Sequence, residues 1–133
     1  MNTKILMTIS AFLMGLCGIL LQFIPQEVLR FFNVEPNGFL SLFVQMMGAM
    51  YLGFAMTNWM AKTVLVGGIY ARPLAMGNLI HFTVGALALL KFAFSAPDLL
   101  IVWVAAVIYS SLAILFGIVV FTHPQRVKDA KVK

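Results

Sequence analysis

The chain has 133 residues, of which 62% are hydrophobic and only 10% are charged, whereas soluble domains carry about 25% charged residues. This composition excludes a soluble monomer, because nine basic and four acidic side chains cannot give a core of this size a polar exterior. A net charge of +5 would suggest nucleic acid in a soluble chain, but the basic residues lie at the ends of apolar segments and in the tail. The single cysteine excludes a disulfide framework and a multi-thiolate metal site.

Four apolar segments between charged residues are long enough to cross a bilayer, since a spanning helix needs about 20 apolar residues. In chain order they cover residues 5–26, 36–61, 73–90 and 99–125. They are apolar on every face, unlike the alternating segments of about 10 residues that build a membrane barrel. The sequence therefore predicts an all-α integral membrane protein whose spans form an antiparallel up-down four-helix transmembrane bundle.

A short amphipathic stretch, residues 25–36, separates the first two spans and is bounded by prolines. Its apolar side chains can enter the acyl boundary while Glu27 and Arg30 stay in water, which predicts a short interfacial helix. These apolar residues are Val28, Leu29, Phe31 and Phe32. A plain amphipathic loop is the alternative.

The Lys and Arg residues near the span ends predict the orientation of the chain. If both termini share one side, the opposite side carries only Arg30 and Lys91. The shared side then carries Lys4, Lys62, Arg72, Arg126, Lys128, Lys131 and Lys133. We therefore predict that both termini are cytoplasmic and that the protein is a multi-pass protein of the bacterial inner membrane.

The domain organisation follows from the same pattern, because no linker or low-complexity segment divides the chain. We predict one four-span membrane domain over residues 1–124 and a basic cytoplasmic tail over residues 125–133. The tail is expected to touch anionic lipid of the bilayer, and nucleic acid is not an expected partner.

Small and polar residues indicate which helix faces pack together, because helices in lipid associate through close backbone approach and hydrogen bonds. The predicted inward stripes are Ala11, Gly15, Gly18 and Gln22 on the first span, Asn78, His81, Gly85 and Ala88 on the third, and Ala106, Ser110, Ala113 and Gly117 on the fourth. The second span has two candidate faces, one with Gln45, Ala49 and Met56 and one with Gly48, Tyr51, Ala55 and Asn58. The stripes exceed what a single bundle needs, which predicts self-association or a membrane protein partner.

The polar residues inside the spans are neutral, since no span contains Asp, Glu, Lys or Arg; this disfavours proton-coupled transporters and voltage sensors. Counting about 1.5 Å per residue from the span ends places His81 roughly 14 Å and Tyr51 roughly 16 Å deep, near the midplane. With Asn78 and Tyr109 they are candidate residues for binding an apolar ligand such as a quinone or lipid. Alternatively, they serve as packing glue between helices.

Catalytic and metal-binding patterns are absent from the sequence. His81 and His123 lie roughly half a bilayer apart, so they cannot share a metal ion within one chain. No phosphate loop, nucleophile elbow or dinucleotide fingerprint occurs. The sequence therefore predicts no catalytic or metal-binding residue and identifies no cofactor.

Several features together carry a family resemblance. The first span contains residues 15–18 (Gly-Leu-Cys-Gly) and ends in residues 23–25 (Phe-Ile-Pro), and an amphipathic hairpin follows. The second span contains residues 47–53 (Met-Gly-Ala-Met-Tyr-Leu-Gly), and the third span begins next to the basic residue Arg72. On these features the whole chain resembles the DoxX-like group of small four-span bacterial membrane proteins. Members of that group are linked to quinol oxidase accessory subunits and to chaperone-like roles in membranes. The resemblance implies the fold and supplies no set of functional residues.

These observations favour a small binding or accessory subunit without a catalytic motif. The alternative is an enzyme or carrier for an apolar ligand, such as a quinone or lipid, held in a midplane pocket between spans two, three and four.

Overall fold

The computed structural model describes residues 3–63 and 71–122. These residues form five helices, which are α1 (Thr3–Phe23), α2 (Pro25–Phe31), α3 (Gly38–Ala61), α4 (Ala71–Ser95) and α5 (Leu100–Thr122). The four long helices are long and apolar enough to cross a membrane. The predicted all-α class, the four spans and the short helix after the first span are thus confirmed. His123 and the predicted tail over residues 125–133 lie outside the described residues.

The third span is longer than the sequence predicted. The prediction ended it at residue 90, before the charge of Lys91, whereas α4 includes Lys91 and continues to Ser95. A lysine does not end a helix near the membrane surface, because its long aliphatic stem can run along the helix while the ammonium group stays in water.

Helix α2 is short because its carboxyl end closes in a Schellman turn. Asn33 adopts a left-handed conformation with φ of 57°, which asparagine tolerates better than most residues. The Asn33 N–H donates to the Arg30 carbonyl at 2.9 Å, and the Val34 N–H donates to the Leu29 carbonyl at 3.0 Å. These bonds satisfy the last carbonyls of α2, so within the predicted stretch of residues 25–36 a short helix is confirmed over Pro25–Phe31.

Helix α3 begins at a side-chain cap rather than at the proline that precedes it. The Asn37 side-chain oxygen accepts a hydrogen bond from the Leu40 N–H at 2.8 Å, which satisfies one of the unpaired donors of the first turn. The cap places the start of α3 at Gly38.

The chain divides into two compact units, one with α1, α2 and α3 and the other with α4 and α5. In the first unit α1 packs along α3, and α2 contacts both; in the second unit α4 packs along α5. Both pairs are antiparallel. In the first, Gly15 lies opposite Ala55 and Gly18 opposite Leu52; in the second, Gly85 lies opposite Tyr109.

Candidate functional site

The closest approach of α1 and α3 is a crossing of two glycines, Gly18 and Gly48. A Cβ atom added to Gly48 would lie 2.8 Å from the Gln22 nitrogen and 3.0 Å from the Gly18 carbonyl oxygen. A Cβ atom added to Gly18 would lie 3.0 Å from the Gly48 carbonyl oxygen. Only glycine at both positions lets the two backbones approach this closely.

The packed face of α3 is the second of the two candidate faces. Gly48, Ala55 and Asn58 are buried, whereas Met56 on the other face is 61% exposed. Gln45 also reaches α1, since its Nε2 donates to the Gln22 carbonyl at 3.3 Å. The stripe predicted on the first span therefore does face the second span.

A buried polar contact joins the same two helices. Asn58 and Ser10 are both fully buried, and the Asn58 Nδ2 donates to the Ser10 Oγ at 3.2 Å and to the Met14 Sδ at 3.7 Å. The Ser10 hydroxyl donates to the Met7 carbonyl at 3.0 Å. Sequence reasoning identified Asn58 but missed Ser10; the available signal was its position beside the Ala11 stripe. These bonds stabilise packing between the helices.

An apolar groove of about 630 Å³ runs between α1 and α3. We call it the α1–α3 groove. Its lining residues are Ala11, Phe12, Gly15, Leu16 and Ile19 from α1 and Leu52, Ala55, Met56 and Trp59 from α3. Sequence reasoning assigned Ala11 and Gly15 to helix packing and missed the groove, because its space depends on small residues that face each other across two helices.

The groove has a floor of small residues and one aromatic end. A Cβ atom on Gly15 would lie 3.6 Å from the Ala55 Cβ, which is an ordinary contact and leaves the helices unstrained there. At the end of the groove near the end of α3, the rings of Phe12 and Trp59 meet edge to face with centroids 5.6 Å apart. The Lys62 Nζ lies 2.9 Å from the centroid of the Trp59 ring, a cation–π contact.

Three of the four predicted ligand-binding residues lie in the second unit. The rings of His81 on α4 and Tyr109 on α5 are tilted against each other with centroids 5.8 Å apart. Asn78 is fully buried, and its Nδ2 donates to the Leu74 carbonyl of its own helix at 2.9 Å. Tyr51 lies half-buried on α3 of the first unit. The structure thus brings His81 and Tyr109 together.

An aromatic cluster occupies the space between α4 and α5. The Phe82 ring lies edge to face against Tyr109 with centroids 5.2 Å apart, and it stacks on Phe116 at 5.6 Å. Gly85 provides room for the Tyr109 ring, because a Cβ atom on Gly85 would lie 2.7 Å from the Tyr109 Cε1. Large rings therefore fill the part of this interface around Gly85.

The inward stripes predicted for the third and fourth spans coincide only in part with the buried faces, since Asn78 and Ala106 are fully buried. On α4, Ala88 is exposed, and the buried residues include Ala75, Phe82 and Ala86. On α5 only Ala106 of the predicted stripe is buried. Its other members Ser110, Ala113 and Gly117 are half-buried. Small residues still mark this interface, since Ala75, Ala86 and Ala93 are buried on α4, but the aromatic side chains between them shift its centre.

The described part of the chain, residues 3–63 and 71–122, contains no group of three His, Cys, Asp or Glu side chains placed to hold a metal ion. No protein-family model matches the chain, and neither a curated protein nor a solved structure matches it significantly. The class of protein is therefore defined by its own helices: four apolar spans make it a multi-pass membrane protein.

Proposed function

We propose that this protein is a small, non-enzymatic binding or accessory subunit of the bacterial inner membrane, related to the DoxX-like group. The observation that carries the proposal is the α1–α3 groove, whose volume of about 630 Å³ and apolar lining fall within the range of sites that hold apolar molecules. Buried Asn58 and Ser10 bond to each other across the helix pair, so they support packing. The proposed role of the groove is to bind an apolar molecule within the bilayer.

Filling the groove tests this function. Leucine at Gly15 adds bulk to the groove floor, where a Cβ atom meets only Ala55 at 3.6 Å. We expect native mass spectrometry in mild detergent to find apolar molecules bound to the wild-type protein and to find them depleted in Gly15→Leu. Gly53→Leu is the matched control, because nothing lies within 4 Å of a Cβ atom there.

A second variant guards against misfolding of Gly15→Leu. Met56 lines the groove and is 61% exposed, so Met56→Trp narrows the groove without entering the buried helix contact. Equal retention by the wild-type protein, the control and both groove variants would contradict the proposal, as would a wild-type protein that carries nothing above background. The same spectra report stoichiometry, for which we propose a homo-oligomer.

The orientation of the chain is tested by reporter fusions. We expect a carboxyl-terminal fusion to a reporter that works only in the cytoplasm to be active, because seven of the nine basic residues then lie on the inner side. A fusion within residues 96–99, which connect α4 to α5, should be active only with a periplasmic reporter. A periplasmic carboxyl terminus would contradict the assignment.

A second candidate function is a carrier or enzyme for an apolar ligand at the predicted residues of the second unit. The observation that favours it is the pairing of His81 and Tyr109, with ring centroids 5.8 Å apart, in the middle of α4 and α5. Neutral imidazole and phenol groups each donate and accept hydrogen bonds, so both can orient a quinone or lipid carbonyl.

For this second candidate we expect His81→Gln and Tyr109→Phe to reduce the co-purified small-molecule content at matched thermal stability. If these residues only stabilise helix packing through hydrogen bonds, His81→Gln should lower the free energy of unfolding by about 1 kcal/mol or less. The variant protein should then retain the same molecules. Quantitative extraction and mass spectrometry of the purified proteins distinguish the two results. Equal content in the wild-type protein and both variants would eliminate the ligand site.

A further inference from the structure

The α1–α3 groove has the length of one acyl chain within one leaflet. Its lining on α1 extends from Ala11 to Ile19, which corresponds to about 12 Å along a helix that rises about 1.5 Å per residue. One leaflet contributes about 15 Å to a hydrocarbon core that is about 30 Å thick. An extended chain that enters at the Trp59 end therefore reaches the far end of the groove near the bilayer midplane.

Positive charge is concentrated at the end of the groove where Trp59 lies. Lys62 follows directly after α3, and its Nζ lies over the Trp59 ring that lines the groove. Lys4 lies at the adjoining end of α1 because the two helices are antiparallel. The acidic residues described in this unit, Glu27 and Glu35, lie in α2 and in the link to α3, at the opposite end of the pair. The charge at the groove entrance is thus positive.

The cation–π contact holds the Lys62 ammonium at the entrance. The half-exposed Lys62 side chain carries three N–H donors. The face of the Trp59 ring does not occupy all three, so donors are left for another acceptor. Lysine and tryptophan side chains at one level are typical of the headgroup region of a membrane. An anionic oxygen in that region is the chemically complementary partner for this ammonium group.

We propose that the α1–α3 groove binds an anionic phospholipid, with one acyl chain along the floor of Gly15 and Ala55 and the phosphate on the Lys62 ammonium. This inference rests on the proposed function and names the occupant of its groove. The proposed orientation places Lys62 in the cytoplasmic leaflet, which is rich in anionic lipid. The acyl chain accounts for the apolar lining, and the phosphate accounts for the charge at the entrance.

The test titrates delipidated full-length protein with phosphatidylglycerol or phosphatidylcholine in mild detergent and measures bound lipid by native mass spectrometry. We expect the wild-type protein to prefer phosphatidylglycerol by roughly fivefold, the factor that one lysine near the membrane surface supplies. Lys62→Gln keeps a polar side chain without the charge and should bind both lipids equally. Met56→Trp should bind both lipids weakly, and Lys91→Gln in α4 should behave as the wild-type protein.

The outcomes separate this inference from the proposed function. If Lys62→Gln keeps the preference for phosphatidylglycerol while Met56→Trp still loses lipid, the headgroup assignment is wrong and the groove function stands. If the wild-type protein binds neither lipid but forms a dimer that Met56→Trp disrupts, the occupant is a second copy, which also overturns the inference. If Met56→Trp loses neither lipid nor self-association, both the inference and the groove function fail.

Discussion

Gly48→Ala is expected to destabilise the protein by about 1–3 kcal/mol, the usual cost of overpacking a tight contact. The added Cβ atom would lie 2.8 Å from the Gln22 nitrogen and 3.1 Å from the Leu21 carbonyl carbon. Both are backbone atoms, so α1 and α3 must separate before the methyl group fits. Thermal unfolding in mild detergent measures the effect.

The control for this substitution is Gly53→Ala on the same helix. Nothing lies within 4 Å of a Cβ atom at Gly53, so alanine there should be neutral or stabilise the helix by about 0.5–1 kcal/mol through its higher helix propensity. Equal destabilisation by the two substitutions would show that α1 and α3 do not cross at Gly48.

Gly85→Ala is expected to destabilise the contact between α4 and α5 by a similar amount, about 1–3 kcal/mol. The added Cβ atom would lie 2.7 Å from Cε1 and 2.8 Å from Cδ1 of the Tyr109 ring. That ring is held by Phe82, with centroids 5.2 Å apart, so it cannot rotate away without losing contact.

A double substitution identifies the cause of this loss. Replacing Tyr109 by leucine removes the ring, so Gly85→Ala should cost much less in a Tyr109→Leu background than in the wild-type protein. Gly117→Ala is the control, because its Cβ atom would lie 3.7 Å from the Leu79 Cδ1, an ordinary contact. If the losses of stability from Gly85→Ala and Tyr109→Leu are additive in the double variant, the Tyr109 ring does not lie against Gly85.

The fold could be predicted from the sequence because lipid imposes simple rules on helices. Apolar runs between charged residues indicated four spans, and the structure contains four apolar helices of spanning length. The stripe on α1 was also predictable. Gly18 packs against Gly48 through backbone contacts that a larger residue at either position would prevent. The ends of the helices were harder to predict from the sequence. Asn33 ends α2 in a left-handed conformation, and a single asparagine does not indicate such a turn.

The candidate site was harder to predict, for two physical reasons. The α1–α3 groove forms where Gly15 on α1 meets Ala55 on α3. This pairing depends on how far the two helices are shifted along each other, which the sequence of either helix alone does not indicate. On α4 and α5 the interface contains the packed rings of Phe82, Tyr109 and Phe116. A rule based on small residues identified Asn78 and Ala106, which are buried, but it did not indicate these three rings.

The pairing that forms the groove floor is tested most directly by disulfide formation between Gly15→Cys and Ala55→Cys in a Cys17→Ala background. The Cβ atom built on Gly15 lies 3.6 Å from the Ala55 Cβ, within the range of about 3.5–4.5 Å for disulfides. With copper phenanthroline and dissolved oxygen as the oxidant, we predict rapid disulfide formation within one chain in native membranes, seen on a non-reducing gel as a monomer without free thiols. We predict none for Gly15→Cys with Gly53→Cys. Oxidation of the Gly53 pair alone, or dimers linked between chains in place of the internal bond, would contradict the α1–α3 groove.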